Sequence, residues 1–122
     1  MYKTILVKEA IVDGDRLLEA LETRGFPVVA AFWYHLPDLV RWRLFIVSPL
    51  VHDKGPRAAY EIIQQTLAGM QPHSISPGDI TVLSPQEDAF QRLRAEMEWG
   101  GLWTTSRSRN DVVFEDAYVY RL

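Results

Sequence analysis

Three histidines are the side chains best suited to acid-base or metal chemistry in this chain, and one of them precedes a carboxylate directly. His52 and Asp53 follow an apolar strand pattern, and open α/β sheets usually hold their ligands at the carboxyl ends of strands. A neighbouring carboxylate can tune a histidine as a base, or both groups can bind a divalent ion. His52 and Asp53, together with the loop around His73, therefore form the candidate pocket of a small enzyme or ligand-binding protein.

The same residues also fit an ordinary structural role. Adjacent residues point in different directions, and Asp53 suits the turn that Gly55 and Pro56 indicate. No second histidine or carboxylate follows at metal-ligand spacing, so we predict no metal and no cofactor. His35 is expected on the buried face of a strand. The chain has no cysteine, which excludes disulfides and thiolate metal sites.

Arginine and aromatic side chains indicate binding instead of catalysis, because both are enriched at the energetic centres of protein interfaces. Two sets stand out. The first lies on one face of a predicted hairpin and comprises Phe32, Tyr34, Arg41 and Arg43. The second, Arg107 and Arg109, lies in a Ser-Arg repeat and could contact a polyanion. The net charge of -3 does not favour general nucleic-acid binding, which depends on neutralising phosphates.

No sequence motif identifies a reaction. The chain has no glycine-rich phosphate loop, no Gly-x-Ser-x-Gly and no His-Glu-x-x-His. We therefore expect a small binding or accessory protein that acts through the aromatic and arginine face. It could form a homodimer through that face or through a strand edge, since two-fold dimers are the commonest assembly. The alternatives are an enzyme or ligand-binding protein with its pocket near His52 and Asp53 and, third, a nucleic-acid-binding module.

A hairpin between Phe26 and Val51 has to position the aromatic and arginine face. Both arms are rich in β-branched and aromatic residues, and Pro37-Asp38 favours a turn. A turn at Leu36 to Leu39 predicts Tyr34 opposite Arg41 and Phe32 opposite Arg43. Side chains alternate along a strand, so the other face should be core. That predicted core face comprises Val29, Ala31, Trp33 and His35, opposite Ile46, Leu44, Trp42 and Val40.

The rest of the chain reads as helices and short strands. One helix is predicted over Asp13–Arg24 with Asp13 as its cap, and a second begins at Pro56 and ends at Gly69. A capping box at Ser84 to Glu87 begins a third helix. The remaining elements are strands: one at Tyr2–Val7, for which the lead-in to a helix is the alternative, an apolar and therefore internal one at Ile80–Leu83, and a hairpin from Trp103 whose long second arm is Val112–Leu122.

Composition is that of an ordinary globular domain, with 122 residues of which 48% are hydrophobic and 24% charged. We predict a single domain over residues 1–122. Its fold is α+β, with a mixed, mostly antiparallel sheet of five to six strands and three helices packed largely on one face. No apolar stretch approaches the about 20 residues that span a bilayer, and no secretory leader is evident, so a cytoplasmic protein without membrane contact is expected.

Overall fold

The computed structural model describes residues 6, 8–36, 41–72, 74–99, 103–105, 112–114 and 117–121. Four α-helices and six strands lie in these segments, so the predicted α+β class and mixed sheet are confirmed. The helices are α1 (Lys8–Thr23), α2 (Leu50–Lys54), α3 (Pro56–Met70) and α4 (Asp88–Trp99). The strands are β1 (Ala30–Leu36), β2 (Arg41–Val47), β3 (Ile80–Leu83), β4 (Trp103–Thr105), β5 (Val112–Phe114) and β6 (Ala117–Arg121).

The central hairpin of β1 and β2 is present, but its predicted register is wrong by two residues. Tyr34 lies opposite Arg43, and Phe32 lies opposite Phe45. The last described pair is Leu36 with Arg41, whereas the predicted turn would place Leu36 opposite Leu39. A shift of two residues preserves which face each side chain occupies, because strand side chains alternate with a period of two.

The predicted core face of the hairpin is therefore largely confirmed despite the wrong register. Ala31, Trp33, Leu44 and Ile46 are all buried in one cluster, and His35 is buried as well. Trp42 is partly buried against the same cluster. Val29 is the exception, since it lies just before β1 and is 43% exposed.

Strand β3 lies at one end of the sheet, whose order over the described strands is β3-β2-β1-β6-β5-β4. It pairs in parallel with β2 after the crossover through α3. Among the described strands, β3 therefore has a neighbour on one side, in contrast to the internal position predicted for Ile80–Leu83. The apolar character of the strand comes from its two faces, since Ile80 and Leu83 are buried in different clusters on opposite sides of the sheet.

Helices cover both faces of the sheet, which corrects the prediction of three helices largely on one face. One core contains apolar side chains of α1 and α3, among them Leu17, Leu21 and Ile63. The other core is completed by α4 through Phe90, with Leu93 packed against it. Because both faces of β1 and β2 are buried, these strands carry apolar residues at nearly every position. Such a run has no clear alternation of apolar and polar residues, so sequence periodicity alone could not show that helices cover both faces.

The first helix begins at Lys8, not at Asp13 as predicted. Asp13 therefore lies inside α1, where it is fully buried and accepts hydrogen bonds from the backbone of a distant loop. The predicted strand Tyr2–Val7 lies outside the described residues, except for Leu6. The second helix agrees closely with its prediction and has Pro56 in its first turn, while the residues before it form α2 instead of a simple turn.

The capping-box contact at Ser84 is confirmed, since its backbone N-H donates to the Glu87 carboxylate at 2.9 Å. Residues 84–87 nevertheless form a turn, and α4 itself begins at Asp88. The predicted long final strand is two short ones, β5 and β6, which pair antiparallel with each other. Among the described helices, none is long and apolar enough to cross a membrane.

Candidate functional site

The aromatic and arginine face predicted from the sequence is mostly covered by the chain itself. Phe32 is fully buried and stacks on Phe45 with ring centroids 5.3 Å apart. Phe90 of α4 belongs to the same buried cluster, and Tyr34 packs against its margin. Phe32 is therefore a core residue, and its prediction as a binding residue is wrong because α4 covers this side of the sheet.

Arg43 reaches from that face around the end of the sheet. Its guanidinium donates to Thr81 Oγ1 at 2.9 Å, to the Gly78 carbonyl at 3.1 Å and to the Ile80 carbonyl at 3.2 Å. A planar guanidinium with several donors suits such divergent contacts better than an ammonium group does. Arg43 thereby ties β2 to β3 and to the 3-10 helix Pro77–Asp79 that precedes β3.

The side chains of the other predicted binding residues are not part of the described structure. Arg41 lies on β2 opposite Leu36, but its side chain lies outside the described part of the structure. Arg107 and Arg109 also lie outside the described residues. The polyanion contact predicted for them stays a prediction.

Within the described part of the chain, the side of β3 that faces away from β2 presents the backbone groups of one residue. The Leu83 carbonyl accepts a hydrogen bond from Ser48 N-H on the β2 side. Successive residues of a strand direct their N-H and C=O groups to opposite sides, so Ile80 and Val82 point away from β2. Both backbone groups of Ile80 already have hydrogen-bond partners, because its N-H donates to the Pro77 carbonyl and its carbonyl accepts from Arg43. Val82 faces the open side.

A groove runs beside Val82, between β3 and α3. We call it the edge groove; its volume is about 470 Å³. It is lined by Pro56, Arg57, Tyr60, Glu61, Gln64 and Val82. Tyr60 donates its hydroxyl hydrogen to the Pro77 carbonyl, which attaches α3 to the start of β3. Arg57 and Glu61 form an ion pair at 3.7 Å on the solvent side, with side chains 94% and 60% exposed.

A second, smaller groove of about 260 Å³ lies where α1 meets β6. It is acidic, with three carboxylates on α1, and one of these, Glu22, forms an ion pair with Arg121. Its lining residues are Asp15, Leu18, Glu19, Glu22, Tyr120 and Arg121. Within the described chain, no group of three or more histidine, aspartate or glutamate side chains is arranged to hold a metal ion.

His52 and Asp53 are both exposed on the short helix α2, not in a loop. Neither lines the edge groove or the acidic groove. His73 lies outside the described residues, so its meeting with His52 and Asp53 in a pocket stays a prediction.

Sequence reasoning missed the edge groove because it depends on which strand ends the sheet. The only local signals were the short length of Ile80–Leu83 and the prolines close to it on both sides, Pro77 and Pro85. Searches of protein-family models, of curated proteins and of solved structures found no match to this chain. Its function therefore has to be inferred from its own residues.

Proposed function

We propose that this chain is a small cytoplasmic binding or accessory protein that docks a protein partner on the open edge of β3 and in the edge groove. The proposal rests on Val82, which lines the groove and whose N-H and C=O point away from β2, because Leu83 directs its carbonyl toward β2 and strand residues alternate. Strand addition to a sheet edge is a common mode of protein recognition, in which main-chain hydrogen bonds supply affinity and neighbouring pockets supply specificity.

The side chains beside the edge supply the second part of such a surface. Arg57 and Glu61 are charged and exposed, while Pro56 and Val82 contribute apolar area to the same groove. An apolar centre with a polar margin is the usual composition of a protein-binding surface. The described residues that line the groove include no buried carboxylate and no histidine, so this composition supports binding more directly than acid-base catalysis.

The surface adjoins the aromatic and arginine face predicted from the sequence. Arg43 begins on that face and ends at the carbonyls of Gly78 and Ile80, where it holds the edge strand in place. Preordering a binding strand lowers the entropy lost on association. In this proposal Arg43 is a positioning residue for the edge, and Tyr34 lies opposite it on β1.

Site-specific photocrosslinking tests the proposal. Gln64 is exposed and lines the edge groove, so a benzoylphenylalanine introduced there lies within reach of a docked partner. The matched control carries the same group at Glu9, an exposed residue in the first turn of α1. Irradiation in the producing cells should give a discrete adduct from position 64 and none from position 9, read on denaturing gels and by mass spectrometry.

Two results would contradict the proposal. One is the absence of any adduct from position 64 when expression and folding match those of the unmodified chain. The other is the same set of adducts from both positions, which would indicate collision instead of docking at the edge groove.

A further inference from the structure

The open edge of β3 has a donor and an acceptor on a single residue. Ile80 has used both of its backbone groups within the chain, through Pro77 and Arg43. Beyond β3, the Ser84 N-H is bonded to Glu87. Over the described residues, Val82 is therefore the outward residue of β3 whose N-H and C=O have no hydrogen bond within the chain, and both groups lie at the groove.

One residue with both groups outward is what an antiparallel pair of identical strands requires at its centre. In such a pair, two residues directly opposite each other exchange both N-H···O=C bonds. A longer strand from a different protein would leave its own alternate backbone groups without partners beside Ile80 and Ser84, and unsatisfied polar groups at an interface are costly. The edge is thus suited to a short, self-complementary contact.

We infer that the partner docked at the edge groove is a second copy of this chain, with Val82 opposite Val82 of the partner subunit on a two-fold axis. The inference rests on the proposed function and names the partner for the same site. It would join two sheets edge to edge. An isologous interface uses the same patch on both copies, so its charges must complement themselves.

The charges on α3 meet that condition. A two-fold axis perpendicular to the joined sheet places the two α3 helices side by side on the same face, running antiparallel. Arg57 and Glu61 lie one helical turn apart beside Val82, so Arg57 of each copy approaches Glu61 of the partner subunit. The ion pair within one copy is exposed and contributes little, whereas exclusion of water at an interface strengthens the cross pairs.

Analytical ultracentrifugation over a concentration series tests the inference with a charge swap. The unmodified chain should sediment at about twice its 14.0 kDa mass at high concentration. Arg57→Glu places two like charges at each cross pair and should weaken association by about tenfold or more. Arg57→Glu combined with Glu61→Arg restores opposite charges and should recover the dimer.

Arg24→Glu is the control, because it makes the same change of charge at an exposed residue after α1. It should dimerise like the unmodified chain, and thermal unfolding should show that all the variants are folded. Persistence of a 14.0 kDa monomer at high micromolar concentration would overturn the inference, as would a dimer that Arg57→Glu leaves intact.

The crosslink at position 64 separates the two proposals. An adduct at twice the chain mass supports both of them. An adduct with a different protein, alongside a monomer in the centrifuge, leaves the docking edge in place and overturns the second copy as its occupant. No adduct and no dimer would overturn both.

Discussion

Asp13 is fully buried and joins two segments that are far apart in sequence. Its Oδ2 accepts from Ser74 N-H at 2.6 Å and from Ile75 N-H at 3.3 Å. Its Oδ1 accepts no hydrogen bond from the described residues and lies 3.6 Å from the Arg16 guanidinium. The carboxylate thus holds the loop before β3 against α1. The sequence pattern had predicted a helix cap at this position instead.

Replacing this carboxylate tests how much the tether contributes. Asp13→Asn keeps the size and one acceptor but loses the charge, so it should lower the free energy of unfolding by about 1–3 kcal/mol. Urea unfolding at neutral pH measures the change. Glu9→Gln neutralises an exposed carboxylate on the same helix and should alter stability by less than about 0.5 kcal/mol. Equal effects of the two variants would contradict a tether at Asp13.

Arg43 is the second residue whose role depends on partners remote in sequence. Arg43→Lys retains a positive charge but cannot reach Thr81, Gly78 and Ile80 at once, so the turn before β3 should loosen. We expect a loss of about 1 kcal/mol in the free energy of unfolding. Hydrogen exchange should also accelerate at the Ile80 amide, which donates to Pro77. Arg24→Lys, at an exposed position, should leave that exchange rate unchanged.

At the scale of elements, the packing of α1 on β6 depends on a glycine. A Cβ built at Gly14 would lie 2.3 Å from the Tyr120 hydroxyl oxygen. That hydroxyl donates to the Ile11 carbonyl at 2.6 Å and accepts from Trp33 Nε1 at 3.0 Å. The close approach of helix and strand therefore buries a small polar network that a larger residue would displace.

A pair of glycine substitutions separates this packing effect from helix propensity. Gly14→Ala should destabilise the protein by about 1–3 kcal/mol through overpacking. Gly69→Ala in α3 has open space around its Cβ and should stabilise by about 0.5–1 kcal/mol, since alanine is the better helix former. Thermal or urea unfolding of both variants measures the difference.

Tyr120→Phe tests whether the Tyr120 hydroxyl is the reason that Gly14→Ala destabilises the protein. Removing the hydroxyl takes away the nearest of the Tyr120 atoms that crowd an alanine at position 14, so the double variant should lose less stability than the sum of the two single variants. Strict additivity would mean that Gly14 acts through something other than its contact with the Tyr120 hydroxyl.

At the scale of the whole molecule, helices cover both faces of β1 and β2, and β3 remains the end of the described sheet. Exposed sheet edges favour unwanted pairing, and natural proteins limit it with short strands, charges and prolines. Strand β3 is four residues long with Arg57 and Glu61 alongside. In the proposed docking, those features limit what pairs with β3 and favour a partner whose charges match.

Coupling of folding to association should appear in thermal unfolding. If two copies pair through β3, the melting temperature should rise by a few degrees as the protein concentration increases, because association stabilises the folded state by mass action. Arg57→Glu should flatten that dependence, and Arg24→Glu should keep it. Differential scanning fluorimetry over a wide concentration range measures it. A melting temperature independent of concentration in the unmodified chain would contradict the second copy.

The sequence by itself determined the elements that local patterns encode. β-Branched and aromatic residues on both sides of Pro37-Asp38 identified the two central strands, and the predicted turn placed Trp33 on its face, while Pro56 and the Ser84 to Glu87 pattern located the starts of helical segments. A register error of two residues leaves each side chain on the same face of the sheet. The faces of the hairpin were therefore predicted correctly while its residue pairs were wrong.

Only the tertiary structure decided which strand ends the sheet, that α4 covers Phe32, and that Arg43 and Asp13 bind backbone groups far along the chain. These features depend on contacts between distant segments, and no local spacing of residues records them. The open edge at Val82 is a consequence of that long-range arrangement, so the proposed docking surface could be found only after the strands had been placed side by side.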